Sequence, residues 1–426
     1  MRKDISFWNK LAILSLALQL IIPVLVACGD VEKEKSLITP DTVSSTLMLS
    51  PTEMPSPPED TQNTIYSLKL TKTIEFANSR RPKIAETDDR FFVIYGDLLD
   101  NSFKVKIFDK SLYNEIMSKT LVSRTSKYGN PTDIRVTADS DYIYIFYEVA
   151  DGVKRKAYLF GEKYTLDDDF KRVNYTGIIS EGKYYLDAEA GDEKLDDPIP
   201  VLGEDKVFVI TRYKASFDVS GETRYRVYEF TKNLTQIKTF DLDLSSVADG
   251  SARQSSALYY DGFYYMVLPT TNGESGGLAI NTISDILIVK FDSDWNLLES
   301  KVISDDHDDI ERYVTGFAAN GGYFFVAYNQ RNGNRLSAPL KVFDYNFNLI
   351  YKTSLASGVV NPDICARDNH ITVGISHGQQ LNALQPLDGV GRNRRQKADD
   401  NPQRDGSTQS IRTIKDYSEI FVFEKR

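Results

Sequence analysis

The chain has 426 residues, of which 41% are hydrophobic and 12% aromatic, and its formal net charge is −10 at pH 7. An acidic protein is a poor partner for a polyanion, so we expect no nucleic-acid binding. Because the sequence has only two cysteines, it excludes a framework of several disulfides and a cysteine-based metal site.

The N-terminus has the pattern of a signal peptide. A basic start precedes an apolar run over residues 11–26, which ends at Leu25-Val26-Ala27-Cys28. That ending resembles the lipobox of bacterial lipoproteins, which implies that residues 1–27 are a signal peptide and that Cys28 carries palmitate-type acyl chains. The other interpretations are an ordinary secretory signal or a membrane anchor with a chance cysteine. We predict attachment to a lipid bilayer through Cys28, on the extracytoplasmic face of the cell membrane or outer membrane.

The composition changes after the lipobox. Residues 28–64 are rich in Pro, Ser and Thr and have little apolar periodicity, which is typical of a flexible or extended tether. We assign residues 65–426 to one repeat domain, with an insertion loop at 378–417.

Six similar units follow the tether. Each unit has a short polar turn and then a run rich in aromatic and β-branched residues; these runs begin at Phe91, Tyr142, Val207, Phe263, Tyr323 and His370. A further run in each unit closes on a phenylalanine: Phe108, Phe160, Phe230, Phe291, Phe343 and Phe423. Such short runs, separated by hairpin-type turns, predict an all-β, six-bladed β-propeller with four-stranded blades. Five or seven blades are the alternatives.

The two ends of the repeat region complement each other. The sixth unit stops at its third strand, residues 419–424, whereas residues 70–76 form an extra strand that resembles fourth strands such as residues 349–355. We predict that the N-terminal strand closes the ring, because the pairing would remove open sheet edges. The repeat pattern resembles the six-bladed propeller lipoproteins of bacteria, loosely the TolB-like group, whose members are mostly binding or scaffold proteins.

Three arginines occupy equivalent positions where innermost strands begin: Arg80, Arg253 and Arg312. We predict that they line the mouth of the central channel and bind ligand there, together with Asp133, Asp197 and Asp363. Converging guanidinium groups would suit a carboxylate or phosphate. Sialidases, which are also six-bladed propellers, use an arginine cluster in this way, but this chain lacks their repeated S-x-D-x-G-x-T-W boxes. The alternative is that the arginines are unrelated surface residues.

We predict no cofactor and no metal, with one open alternative. The acidic stretch Asp305, Asp306, Asp308 and Asp309 could hold Ca²⁺ through carboxylate oxygens, although a solvated connection is the simpler explanation. Cys365 is interpreted as a small buried hydrophobic residue.

These features lead to a functional prediction of a non-catalytic binding or scaffold module. Its partner would be an unknown envelope protein, a glycan or a cell-wall ligand, and its binding face would carry the long loops at 270–284 and 378–417. The alternative is a glycan-active hydrolase or lyase with an arginine-lined channel. Two carboxyl groups about 5–10 Å apart in a pocket would favour that enzyme. A structural cell-surface protein without a small ligand is a third possibility.

Overall fold

A computed structural model describes residues 67–111, 113–122, 128–151, 154, 156–167, 169–183, 198–213, 224–248, 255–270, 285–304, 310–332, 335–357, 359–377 and 417–425. All of them belong to one unit, Ile65–Arg426. The predicted signal peptide, the predicted tether (28–64), residues 65–66, and residues 378–416 of the insertion loop lie outside these ranges. Within them every regular element is a β-strand. No helix suited to crossing a bilayer occurs in this part of the chain.

The described strands of blades 1 to 3, preceded by the N-terminal strand, are β1 (Leu68–Ala77), β2 (Ser79–Glu86), β3 (Arg90–Asp97), β4 (Ser102–Asp109), β5 (Glu115–Val122), β6 (Asn130–Ala138), β7 (Tyr142–Asp151), β8 (Lys156–Thr165), β9 (Arg172–Lys183), β10 (Ile199–Leu202), β11 (Lys206–Tyr213), β12 (Arg224–Thr231) and β13 (Gln236–Asp243). Those of blades 4 to 6 are β14 (Ser256–Tyr260), β15 (Phe263–Thr270), β16 (Asp285–Phe291), β17 (Leu297–Val302), β18 (Ile310–Asn320), β19 (Tyr323–Asn332), β20 (Arg335–Phe343), β21 (Leu349–Ser357), β22 (Val359–Arg367), β23 (His370–His377) and β24 (Tyr417–Lys425).

The strands form six four-stranded antiparallel sheets. Five sheets use four consecutive strands, starting at β2, β6, β10, β14 and β18, and the sixth has the order β1-β24-β23-β22. The innermost strand, which lines the central channel as in other propellers, is the first strand in the five consecutive sheets and β22 in the sixth. The prediction of a six-bladed all-β propeller is therefore confirmed.

The ring closes through the N-terminal strand, as predicted. β1 pairs antiparallel with β24 from Leu68 opposite Lys425 to Ala77 opposite Tyr417. Their ladder is supported by the Thr71 hydroxyl, which donates to the carbonyl of Val422 at 3.0 Å. The last blade therefore takes three strands from the end of the chain and one from its beginning.

The hydrophobic core is divided among the junctions between blades. Six buried clusters occur in the described residues, and each is shared by two neighbouring blades. One of them joins Phe76 of β1 and Ile420 of β24 to Ile84 and Phe91 of blade 1. Because every blade buries both of its faces against neighbours, a chain of this length needs no single large core.

The turns between third and fourth strands place an apolar residue between blades. In blades 1 to 5 this residue has a positive φ and precedes the fourth strand: Tyr113, Phe170, Leu234, Trp295 and Phe347. Trp295 reaches Phe208 of the preceding blade at 5.5 Å between ring centroids, and Phe170 reaches Phe92 at 6.1 Å. Positive φ is unfavourable for bulky residues, so burial of these side chains must offset the backbone strain.

Blade 2 differs from the sequence prediction at its third strand. β8 does not close on Phe160 but continues to Thr165. Gly161 lies inside this strand. A glycine is needed there because a Cβ would approach the Phe146 ring to 2.6 Å. A glycine within a strand can thus mark close packing as well as a turn.

Candidate functional site

Three innermost strands carry a β-bulge next to a proline. The register shifts between Arg80 and Lys83 in β2, between Pro131 and Asp133 in β6, and between Val360 and Asp363 in β22. Proline has no N–H to donate to the ladder, so it is compatible with a bulge. Lys83, Asp133 and Asp363 are the first paired residues after the shift, which places charged side chains beside the channel in blades 1, 2 and 6.

The six innermost strands can be compared at one level. In each blade we start at the second-strand residue that pairs with the last aromatic residue of the third strand. We then move three residues along the second strand and take the innermost-strand residue that is paired there. The residues at this level, called the channel ring below, are in chain order Lys83, Arg135, Ile199, Ser256, Gly316 and Asp363. Blades 1, 2 and 6 contribute charges, and blades 3, 4 and 5 contribute small or apolar side chains.

The three charged residues of the channel ring form an ion triad. Asp363 Oδ1 lies 3.6 Å from Lys83 Nζ and 3.7 Å from an Arg135 guanidinium nitrogen. Asp363 Oδ2 accepts a hydrogen bond from the amide of Ile84 at 2.8 Å. The Lys83 side chain is only 3% exposed, so the triad links three blades inside the channel wall.

A pair of acids lies next to the ion triad in blade 2. Asp133 of β6 and Glu148 of β7 are directly opposite in the ladder, and both are buried. Opposite residues have their Cβ atoms about 5 Å apart on the same face of the sheet. Asp133 accepts a hydrogen bond from the amide of Ile134 at 2.8 Å and lies 3.4 Å from the Arg81 guanidinium of blade 1. We call Asp133 and Glu148 the acid pair.

Arg81 is held at the edge of the site by an unusual backbone. Its φ is 50° in the bulge before Pro82, and its amide donates to the Ser376 hydroxyl of blade 6 at 2.6 Å. Its side chain is 31% exposed, whereas that of Asp133 is 9% exposed. Arg81 is therefore the solvent-facing cation of the site.

Electrostatics distinguish Lys83 from an ordinary lysine. The pKa of Lys83 is lowered to about 8, mainly by burial and also by the nearby guanidinium groups of Arg135 and Arg81, while Asp363 and Asp133 oppose the shift. Lys83 is consequently charged at neutral pH but loses its proton more readily than a surface lysine.

The structure locates some of the predicted ligand residues. Asp133 and Asp363 both lie in the site, and each contacts a cation from another blade. Arg80 instead lies across Gly96, where an added Cβ would approach the Arg80 side chain to 3.2 Å. Asp197 and Arg253 lie outside the described residues, as do Asp305, Asp306, Asp308 and Asp309, and only the backbone of Arg312, in β18, is described.

Four residues of the site were not predicted from the sequence: Arg81, Lys83, Arg135 and Glu148. A signal for two of the three bulges was present as a repeated string, Asn130-Pro131-Thr132-Asp133-Ile134 and Asn361-Pro362-Asp363-Ile364, and Arg81-Pro82-Lys83-Ile84 is its counterpart in blade 1. In each string a proline marks the bulge and the residue before isoleucine faces the site.

A second polar region lies on the face with the short turns. A cleft of about 550 Å³ is lined by residues of blades 1 and 6 that include Asp88, Lys110 and His370. Lys110 Nζ lies 3.4 Å from the buried Glu86 carboxylate, and burial raises the pKa of that carboxyl despite Lys110 and Thr372 nearby. Burial likewise raises the pKa of the Cys365 thiol. In the part of the chain that the structure describes, no group of three or more His, Cys, Asp or Glu residues could hold a metal ion.

The chain was compared with known proteins. No protein-family model and no curated protein matches it. Among solved structures it is similar to the GH93 α-L-arabinofuranosidase of Fusarium graminearum in complex with arabinobiose, with a TM-score of 0.51, 8% identity, and coverage of 72% of this chain and 93% of that one. A mutant of that enzyme with an iminosugar inhibitor gives a TM-score of 0.50 at 8% identity, covering 70% and 88% of the two chains. The GH43 endo-arabinanase of Bacillus licheniformis gives 0.41 at 12% identity, covering 64% and 98%.

These comparisons correct two predictions. The resemblance to the TolB-like group is not supported, since the solved structures named above are glycoside hydrolases. The repeat pattern that suggested it reflects the packing of blades in general. The comparisons also contradict the non-catalytic binding or scaffold module and agree better with the alternative, a glycan-active enzyme. The prediction of a binding or scaffold module was wrong because it was drawn from the repeat pattern. That pattern specifies the scaffold but does not show which residues lie in the bulges.

Proposed function

We propose that the chain is a glycan-active enzyme, a hydrolase or lyase, whose chemistry is carried out by the acid pair in the central channel. The observation that carries the proposal is the placement of two buried carboxyl groups, those of Asp133 and Glu148, directly opposite each other on neighbouring strands of blade 2. Glycoside hydrolases use two carboxyl groups about 5–10 Å apart, one as an acid and the other as a base or nucleophile. Support also comes from the fold shared with a GH93 α-L-arabinofuranosidase.

The surroundings of the acid pair divide the two roles. Asp133 accepts the Ile134 amide and faces Arg81, and both contacts favour its charged form. Asp133 is therefore the base or nucleophile in this proposal. Glu148, which is buried on the neighbouring strand β7, is then the residue that donates a proton to the leaving oxygen in this proposal.

The test is an activity screen with matched variants. The purified chain is incubated with a panel of polysaccharides and aryl glycosides that includes arabinan and an aryl α-L-arabinofuranoside, and both new reducing ends and unsaturated products are measured. We expect turnover of at least one glycan. Asp133→Asn and Glu148→Gln should each lower kcat/KM by at least about 100-fold, since acid–base catalysis contributes about 10²–10⁴-fold.

Glu229→Gln is the control for these variants. Glu229 is an equally buried carboxylate, but it lies on the third strand of blade 3 and is paired with Lys206 and Lys238. Its variant should keep the wild-type kcat/KM. Thermal unfolding of each variant checks that it is folded. No turnover of any glycan, or full activity of both acid-pair variants, would refute the proposal.

We also propose that the enzyme is a lipoprotein, with residues 1–27 removed, residues 28–64 as a tether and acylated Cys28 in a lipid bilayer on the extracytoplasmic side. The support is the sequence Leu25-Val26-Ala27-Cys28 after an apolar run, and stable anchoring by several acyl chains is physically reasonable. Radiolabelled palmitate should be incorporated by the chain expressed in a bacterium and not by its Cys28→Ser variant. Equal labelling of the two would exclude this attachment site.

A further inference from the structure

Lys83 is a buried charge that the acid-pair chemistry does not use. Its side chain is 3% exposed, although a buried ammonium group is costly unless it is paired. At the same level of the channel ring, blades 3, 4 and 5 have Ile199, Ser256 and Gly316. The fold itself therefore does not need a lysine at this level, and its presence in blade 1 calls for a specific role.

We propose that Lys83 is a positioning residue for the acid pair, an inference that rests on the proposed function. Its ammonium group pairs with Asp363 of blade 6, which also contacts Arg135 on the strand that carries Asp133, and loss of the lysine proton weakens this link. Lys83 thereby sets the upper pH limit of the site without touching the substrate.

The contacts of Lys83 and of its partner Asp363 support this role. Lys83 Nζ lies 3.6 Å from Asp363 Oδ1, which also contacts Arg135 of β6. Arg135 follows Asp133 by two residues on that strand, so the position of Asp363 is coupled to the strand that carries the acid pair. Asp363 also accepts the amide of Ile84, the residue after Lys83. A change at Lys83 thus acts on blades 6, 1 and 2 together.

The charged groups facing Lys83 come from three blades. Arg81 is on its own strand, Asp133 and Arg135 are on β6, and Asp363 is on β22. The two carboxylates favour the protonated lysine, and the two guanidinium groups and burial disfavour it. With a pKa of about 8, Lys83 is protonated at pH 7 and largely neutral at pH 9, so the pairing with Asp363 weakens within that interval.

The experiment compares wild type, Lys83→Met, Lys83→Arg and Asp363→Asn in the full chain. The first measurement needs no substrate: NMR of isotope-labelled lysine side chains follows their titration from pH 6 to 11. We expect one lysine with a midpoint near pH 8, absent from Lys83→Met and shifted to lower pH in Asp363→Asn, because the carboxylate favours the charged lysine.

The second measurement is the pH profile of kcat/KM on a glycan that the wild type cleaves. Wild-type activity should fall above about pH 8 as Lys83 is deprotonated. Lys83→Arg should remain active beyond that limit, since arginine keeps its charge. Lys83→Met should lose about tenfold or more in kcat/KM at pH 7, and its profile should lack the decline near pH 8.

Lys341→Met is the matched control, because Lys341 is a fully buried lysine on β20 in blade 5. It should leave both the lysine titration near pH 8 and the pH profile unchanged. If no lysine titrates near pH 8, if Asp363→Asn leaves its midpoint in place, or if Lys83→Arg keeps the wild-type alkaline decline, the inference is overturned. If the wild type cleaves no glycan, the enzyme proposal fails, and the NMR titration alone decides whether Lys83 is coupled to the carboxylates.

Discussion

The two halves of the propeller ring share one sheet design but line the channel differently. At the same level, blades 6, 1 and 2 present the ion triad, whereas blades 3, 4 and 5 present Ile199, Ser256 and Gly316. The two halves come close where blade 5 meets blade 6: a Cβ on Gly316 would lie 2.8 Å from Ile364 Cγ1 of blade 6.

The difference shows that ring packing and channel chemistry are specified by separate positions. The junction between blades 3 and 4 is filled by aromatic rings around Trp295, which stacks on Tyr264 at 4.3 Å between centroids. The junctions around blade 1 have their own apolar clusters but add charged residues at the bulges. One half of the ring is therefore free of charges at a level where the other half concentrates them.

The largest expected effect on stability tests the uncharged half of the ring, blades 3, 4 and 5. Trp295→Ala should lower the free energy of unfolding by about 4 kcal/mol, because it removes a buried ring at the junction of blades 3 and 4 and leaves a cavity. Urea unfolding measures the change. Leu298→Ala is the control, since Leu298 is 51% exposed, and it should change stability by less than about 0.5 kcal/mol. Equal effects of the two would mean that the turn residue does not hold the blades together.

The next effect tests the charged half. Asp363→Ala should lower the free energy of unfolding by about 3 kcal/mol, because Lys83 and Arg135 lose the carboxylate that they share and the Ile84 amide loses its acceptor. The same urea titration applies. Asp241→Ala removes a more exposed partner of Arg226 and should cost less than about 1 kcal/mol. A loss for Asp363→Ala as small as that would show that the ion triad is not a structural link.

The smallest effect concerns pH. The folded-state pKa of Lys83 is lowered to about 8 from 10.5, so in this range the unfolded chain binds more protons at this residue than the folded chain. Its penalty on stability is complete below pH 8 and is relieved as pH rises towards 10.5. Wild type should therefore gain about 1 kcal/mol relative to Lys83→Met between pH 7 and 9. Parallel stability curves for the two proteins in denaturant series at each pH would contradict this.

Much of the scaffold could be predicted from the sequence, because turn pairs and β-rich runs recur with every blade. The closing strand could also be predicted, since a unit lacking a strand and a strand lacking a unit complement each other. The location of Asp133 and Asp363 on innermost strands could also be predicted, because both lie in the short apolar segment before a hairpin turn. Arg81 was missed in favour of Arg80, since a bulge reverses the alternation that decides which neighbour faces the channel. Lys83 and Glu148 were missed because the sequence pattern does not distinguish a charged residue that is buried in the fold from one on the surface.

Ring closure also has a consequence for synthesis of the protein. Thr71 bonds to Val422, a residue 351 positions later in the chain. A ribosome therefore releases β1 long before its hydrogen-bonding partner exists, and its edge stays open while five blades assemble behind it. Contacts of such long range form slowly, and open edges promote aggregation. The strand that completes the architecture is the one that must be shielded longest.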